Sequence, residues 1–119
     1  MLYSVDFSDC SEVAGLAPED VTARFIAALE RAGATIVQSC STVFPGAGLT
    51  CVLILSESHA VLHTWPETGT VNIDIFSCSP RLKSRAAIAE LRRSFGAAGV
   101  SVQEIARADG HDPHRDPRR

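Results

Sequence analysis

The segment Ser56-Glu57-Ser58-His59-Ala60-Val61-Leu62-His63-Thr64-Trp65-Pro66-Glu67 gathers two histidines, two carboxylates, a tryptophan and three hydroxyls directly after an apolar run, residues 51–55. A serine at a strained turn can attack its own preceding carbonyl and shift the acyl group from nitrogen to oxygen. Elimination of that ester leaves dehydroalanine, which hydrolyses to a pyruvoyl group. The chemistry needs a base, and a hydroxyl or amide to hold the oxyanion. Here the bond at issue joins Glu57 to Ser58. His59 and His63 are nearby bases, and Thr50 supplies a hydroxyl from the preceding strand. On residue types alone, a solvent-exposed turn serine is the competing reading. Zinc ligation by His59 and His63 is a distant one: i, i+4 suits one face of a helix, this segment reads as strand, and no third strong ligand lies nearby.

The elements that must position these groups follow from periodicity. Residues 2–7 read as a short strand, and 8–17 as a turn-rich connection. Pro18-Glu19-Asp20 opens a helix, because proline lacks only an amide that would be orphaned and the acids favour the positive end of the dipole. Val21, Phe25, Ile26 and Leu29 recur at helical spacing, and Gly33 is placed to cap it. Residues 35–44, 50–55 and 60–64 read as strands, with the second and third joined by a tight turn around Glu57-Ser58. Val71, Ile73 and Ile75 alternate with Asn72, Asp74 and Phe76 in a fourth. A second helix follows Ser79-Pro80, with Leu82, Ala86, Ile88, Ala89, Leu91 and Phe95 as its apolar stripe, and Val100, Val102 and Ile105 mark a last strand. The order β-α-β-β-β-β-α-β predicts an α+β two-layer sandwich, an antiparallel sheet with two helices on one face. The other face of the sheet would be bare, which predicts a homodimer.

A chain of 119 residues with 45% hydrophobic residues suits one domain with a modest core, residues 1–108. The tail from Asp109 has no apolar residue and is expected to be disordered. A net charge of −3 gives no electrostatic case for nucleic acid or an anionic membrane. No apolar stretch is long enough for a signal peptide or a membrane span, so a cytoplasmic protein is expected. Cys10, Cys40, Cys51 and Cys78 form no C-x-x-C pair and are expected as free thiols.

The Glu57-Ser58-His59 turn, His63-Thr64-Trp65-Pro66-Glu67, Asp74-Ile75-Phe76-Ser77-Cys78 and the entry strand Gly33-Ala34-Thr35-Ile36-Val37 together resemble the bacterial and archaeal S-adenosylmethionine decarboxylases. The resemblance covers roughly residues 32–78 and implies that family's fold. It implies cleavage between Glu57 and Ser58, with Ser58 becoming a covalent pyruvoyl cofactor that forms a Schiff base with the substrate amine. It assigns His63 to self-processing and Cys78 to proton donation, and needs no metal. Thr50 stands where the family has a processing serine; it keeps the hydroxyl and adds a methyl. Phe44 and Trp65 align with aromatic positions that could hold an adenine ring or face a sulfonium, and Glu67 could bind ribose hydroxyls. The implied activity is decarboxylation of S-adenosylmethionine for spermidine synthesis by a homodimer of cleaved two-chain protomers. The N-terminal segment Leu2-Tyr3-Ser4-Val5 lacks a histidine usual in the family, and Thr68 and Thr70 replace aromatic residues. Those departures leave two alternatives: the same chemistry on ornithine or arginine, or an unprocessed, non-catalytic binding module.

Overall fold

The computed structural model describes residues 1–56 and 58–108. Strand β1 (Leu2–Cys10) is followed by a 3-10 turn at Val13–Gly15 and helix α1 (Pro18–Arg31). Four strands come next: β2 (Ile36–Val43), β3 (Leu49–Leu55), β4 (Ser58–Trp65) and β5 (Thr70–Ser77). Helix α2 (Ser84–Phe95) and strand β6 (Ala97–Ile105) are the last elements of the described residues. The strands form one six-stranded antiparallel sheet in the order β2-β3-β4-β5-β1-β6. The expected α+β sandwich is therefore present, with both helices against one face of the sheet.

Alternation creates that face. Leu49, Cys51, Leu53 and Leu55 of β3, Ala60 and Leu62 of β4, and Val71, Ile73 and Ile75 of β5 are all buried. They meet Phe25 and Leu29 of α1 and Leu91 and Phe95 of α2 in a single core. Each fully buried Leu or Phe contributes about 2 kcal/mol relative to an exposed one. The helices are tied to each other at their outer edges. Arg24 Nη1 donates to the Ser94 carbonyl at 2.7 Å, and Arg31 makes a two-pronged contact with Glu90.

Several boundaries differ from the periodicity. β1 runs on to Cys10, since Ser8 and Cys10 still pair with Gly99 and Ala97 of β6. β6 in turn begins at Ala97, directly after Gly96 ends α2 in the left-handed region. The stripe of α2 is Ser84, Ala87, Ile88, Leu91 and Phe95; Ala86 and Ala89 face solvent, because one residue of helix turns the side chain by about 100°. The second sheet face carries neither helix, as expected, and is mixed rather than apolar. Val52, Ile54, Val61 and Phe76 share it with Thr50, His63, Asn72 and Asp6. The segment expected to be a disordered tail and the carboxylate at Glu57 lie outside the described residues.

Candidate functional site

The site residues are positioned by β4 and its two neighbours. β3 ends at Leu55, opposite Ser58 at the start of β4, and Ser58 lies opposite Ser77 at the end of β5. That register brings the next residue, Cys78, to Ser58: the Cys78 amide donates to Ser58 Oγ at 3.3 Å. The chain leaving β5 is held by short serine turns. The Ser79 amide donates to Ser77 Oγ and the Arg81 amide to Ser79 Oγ. A cavity of about 330 Å³ opens beside Ser58, walled by Gly33 and Thr35 from the α1–β2 connection and by Ser79 and Arg81 ahead of α2. Gly33 is required there. Its φ is +104°, and a Cβ at that position would stand 2.2 Å from the Arg81 carbonyl oxygen. The Lys83 amide, donating to the Ala32 carbonyl at 2.8 Å, clips the same two segments together.

A second cluster occupies the far end of β4. Thr50 of β3 lies directly opposite His63, and Thr50 Oγ1 is 2.6 Å from His63 Nδ1. The Trp65 ring stands 4.3 Å from the His63 ring and the Phe44 ring 5.9 Å from it. Phe44, Pro45, His63, Trp65 and Glu67 line a concavity of about 310 Å³, within the range of small-ligand sites. Phe44 and Trp65 are each 44% exposed, so their faces are available to a ligand. The tight β2–β3 loop that presents Phe44 is closed by the Phe44 amide donating to Gly48 O at 2.7 Å.

Two members of this cluster escape sequence reasoning. Asn72 of β5 lies opposite His63, and Asp6 of β1 lies opposite Asn72, so Thr50, His63, Asn72 and Asp6 form one polar rung across four strands. Trp65 Nε1 donates to Asn72 Oδ1 at 2.7 Å, and Asn72 Nδ2 donates to Asp6 Oδ1 at 2.7 Å. Only strand pairing reveals the rung, because the residues come from distant parts of the chain.

The fold thus brings together Ser58 with Cys78, and Thr50 with His63, Phe44, Trp65 and Glu67. It does not bring the two groups together within one chain. From Ser58 to His63 is five residues of strand, about 17 Å, and the alternation of β4 puts their side chains on opposite faces. His59 shares the open face with His63 but packs on Phe76, ring centres 5.4 Å apart. The two histidines are about 13 Å apart along the strand, too far to share a metal ion. Among the described residues, no group of three or more His, Cys, Asp or Glu is placed to hold one. Cys78 is half-buried and unpaired, Cys40 is exposed, and Cys10 and Cys51 are buried. Burial, reinforced by the neighbouring Asp9 carboxylate, pushes the Cys10 thiol up from its ordinary value.

Comparison with known proteins identifies the family. The family model described as S-adenosylmethionine decarboxylase matches residues 1–108. An S-adenosylmethionine decarboxylase proenzyme of Acidithiobacillus ferrooxidans is 35% identical over 105 residues, 88% of this chain and 75% of the relative. One of Moorella thermoacetica is 43% identical over 81 residues, 68% of this chain and 64% of that protein. One of Prochlorococcus marinus is 32% identical over 106 residues, 89% of this chain and 81% of the relative. The crystal structure of the adenosylmethionine decarboxylase from Aquifex aeolicus superposes with a TM-score of 0.71 at 23% identity, covering 93% of this chain and 95% of that one, and shares the fold. By its family match and its relatives, the chain with the Ser58–Cys78 and Thr50–His63 pairs belongs to the S-adenosylmethionine decarboxylase family.

Proposed function

We propose that this protein is a proenzyme that cuts itself between Glu57 and Ser58 and then decarboxylates S-adenosylmethionine, yielding the aminopropyl donor for spermidine synthesis. The observation that carries the reading is the Ser58–Cys78 pair at the mouth of the larger cavity. A hydroxyl that must attack the preceding carbonyl is held by an amide donor, and a free thiol sits on the same residue as that donor. In the cut, Ser58 Oγ forms an ester with the residue 57 carbonyl as the peptide C–N bond breaks. Elimination releases the residue 57 carboxylate, and hydrolysis of the resulting dehydroalanine releases ammonia and leaves a pyruvoyl group.

The residues around Ser58 fit that group. Once the serine oxygen has left, the Cys78 amide is freed to donate to a new carbonyl, and the cavity beside it has room for a substrate. When formed, the pyruvoyl carbonyl supplies an electron sink for loss of CO₂, the part other enzymes give to a bound cofactor. The Cys78 thiol holds the proton returned to the substrate α-carbon. Phe44 and Trp65 offer aromatic faces to an adenine or a sulfonium, and Glu67 a carboxylate to ribose hydroxyls.

The 17 Å between the two clusters gives the expected homodimer a chemical purpose. Packing the open faces of two antiparallel copies sets the Thr50–His63 end of each near the Ser58 end of the other. Ser58 is the first residue of β4, and the cut requires its side chain to turn toward that interface. His63 of one copy then serves Ser58 of its partner. The test is to co-express Ser58→Ala and His63→Ala chains. Cutting of the His63→Ala chain only when the Ser58→Ala chain is present supports the shared site; cutting of it alone refutes any need for His63. For the function itself, the intact mass under denaturing conditions decides. Fragments 1–57 and 58–119, the second lighter than its unmodified form by one ammonia, are expected. A single full-length chain without decarboxylase activity would refute the reading and favour the binding-module alternative. Turnover of ornithine or arginine in preference to S-adenosylmethionine would keep the chemistry and change the substrate.

A further inference from the structure

We propose that Asn72 is a positioning residue that acts on His63 through Trp65. It rests on the reading above only in calling His63 part of the reacting site. Asn72 lies opposite His63 on the neighbouring strand, yet its side chain bonds Trp65 and Asp6 instead. Its orientation is not free. An indole N–H can only donate and a carboxylate can only accept, so the amide oxygen must face Trp65 and the amide nitrogen must face Asp6. Trp65 needs this tether. Within the protomer it is 44% exposed, so packing in the chain itself does not fix the ring, and the 2.7 Å bond to Asn72 holds the indole on the sheet.

The consequence falls on His63. Thr50 ties its Nδ1 from one side at 2.6 Å, and the Trp65 ring covers another at 4.3 Å with the planes tilted 54°. With the indole released, one wall of the imidazole is lost and the ring can rotate about the remaining hydrogen bond. The chain Asp6–Asn72–Trp65 therefore carries a constraint from β1 across β5 to the reactive end of β4.

Trp65 is the only tryptophan of the chain, so its emission reports the ring directly and without reference to activity. In Asn72→Ala, emission from the full-length protein is expected to become more accessible to acrylamide and less polarised. The docked population should fall about fivefold relative to the released one, the factor of one net neutral hydrogen bond. Asp6→Ala, which leaves the Asn72–Trp65 bond in place, should shift the same signals in the same direction by less. Unchanged quenching and anisotropy in a folded Asn72→Ala protein would overturn the proposal. If that variant does not fold, unchanged signals in Asp6→Ala would do so. Self-cleavage then asks whether Asn72 acts through Trp65. Asn72→Ala should slow the cut in the native background and add nothing in a Trp65→Phe background, whereas equal slowing in both would overturn it. A native chain that never cuts itself would sink the proposed function, while the emission measurements would still decide the role of Asn72.

Discussion

Replacing Thr50 by valine isolates one hydrogen bond of the proposed processing site. Valine keeps the volume and the β-branch, so strand β3 retains its preference and the half-buried position stays filled. What disappears is the hydroxyl 2.6 Å from His63 Nδ1. His63 is itself only partly buried, so water can replace the hydroxyl in the folded protein. The stability cost is about 1 kcal/mol or less, a few degrees in melting temperature for a domain of this size. The cost to self-cleavage is larger. The hydroxyl can accept from Nδ1–H, which leaves Nε2 free to take a proton. As the imidazole gains charge in the transition state, a hydrogen bond to it is worth about 2 kcal/mol, which is roughly a 30-fold slower cut. The assay follows freshly made precursor by denaturing electrophoresis and intact mass, beside a thermal melt. Thr50→Ser should cut at close to the native rate or faster, since it removes only the methyl. Native-rate cutting in Thr50→Val, or an equal loss in Thr50→Ser, would refute the assignment of this hydroxyl.

Five further outcomes are expected. Ser58→Ala should remain one uncut chain with no decarboxylase activity, and a cut product by mass spectrometry would remove Ser58 from the mechanism. Cys78→Ala should still cut itself but lose about 10²- to 10⁴-fold in turnover, the usual share of a positioned proton donor; native turnover would exclude the thiol. Gly33→Ala forces a Cβ into the Arg81 carbonyl at a φ of +104°, so a loss of about 3 kcal/mol and a fall of roughly 10 °C in melting temperature are expected. In a thiol-labelling time course Cys40 should react first, while Cys10 and Cys51 wait for unfolding. Because the Cys10 pKa is raised in the fold, its contribution to stability is whole below the ordinary thiol pKa and is lost as pH rises through the raised value.

The fold was legible because its signals are local. Pro18 and the acids after it start α1, Gly33 ends it, and alternating apolar residues from Val71 to Ile75 specify one buried sheet face. The ends of β1 and β6 were not legible, since the pairs Ser8–Gly99 and Cys10–Ala97 join residues with no local strand pattern. Asn72 and Asp6 were hidden for a related reason. Each looks like an ordinary polar residue on an exposed strand face until register places both on the rung of His63.

The motif around Ser58 and His63 reads as one reactive unit in sequence, and strand geometry divides it. In a helix, five residues rise about 7.5 Å, and side chains at that separation can cooperate. In a strand the same five residues extend about 17 Å and, being odd in number, turn the two side chains to opposite faces. Ser58 is therefore completed by what β5 brings beside it, the Cys78 amide, and His63 by what β3 brings, the Thr50 hydroxyl. Both pairs follow from antiparallel register, and each lacks what the other has: one a base, the other a nucleophile. On the proposed shared site the two are drawn from two chains, so a protomer held strictly monomeric by charged substitutions on its open face should stay uncut, although every residue of the motif is present.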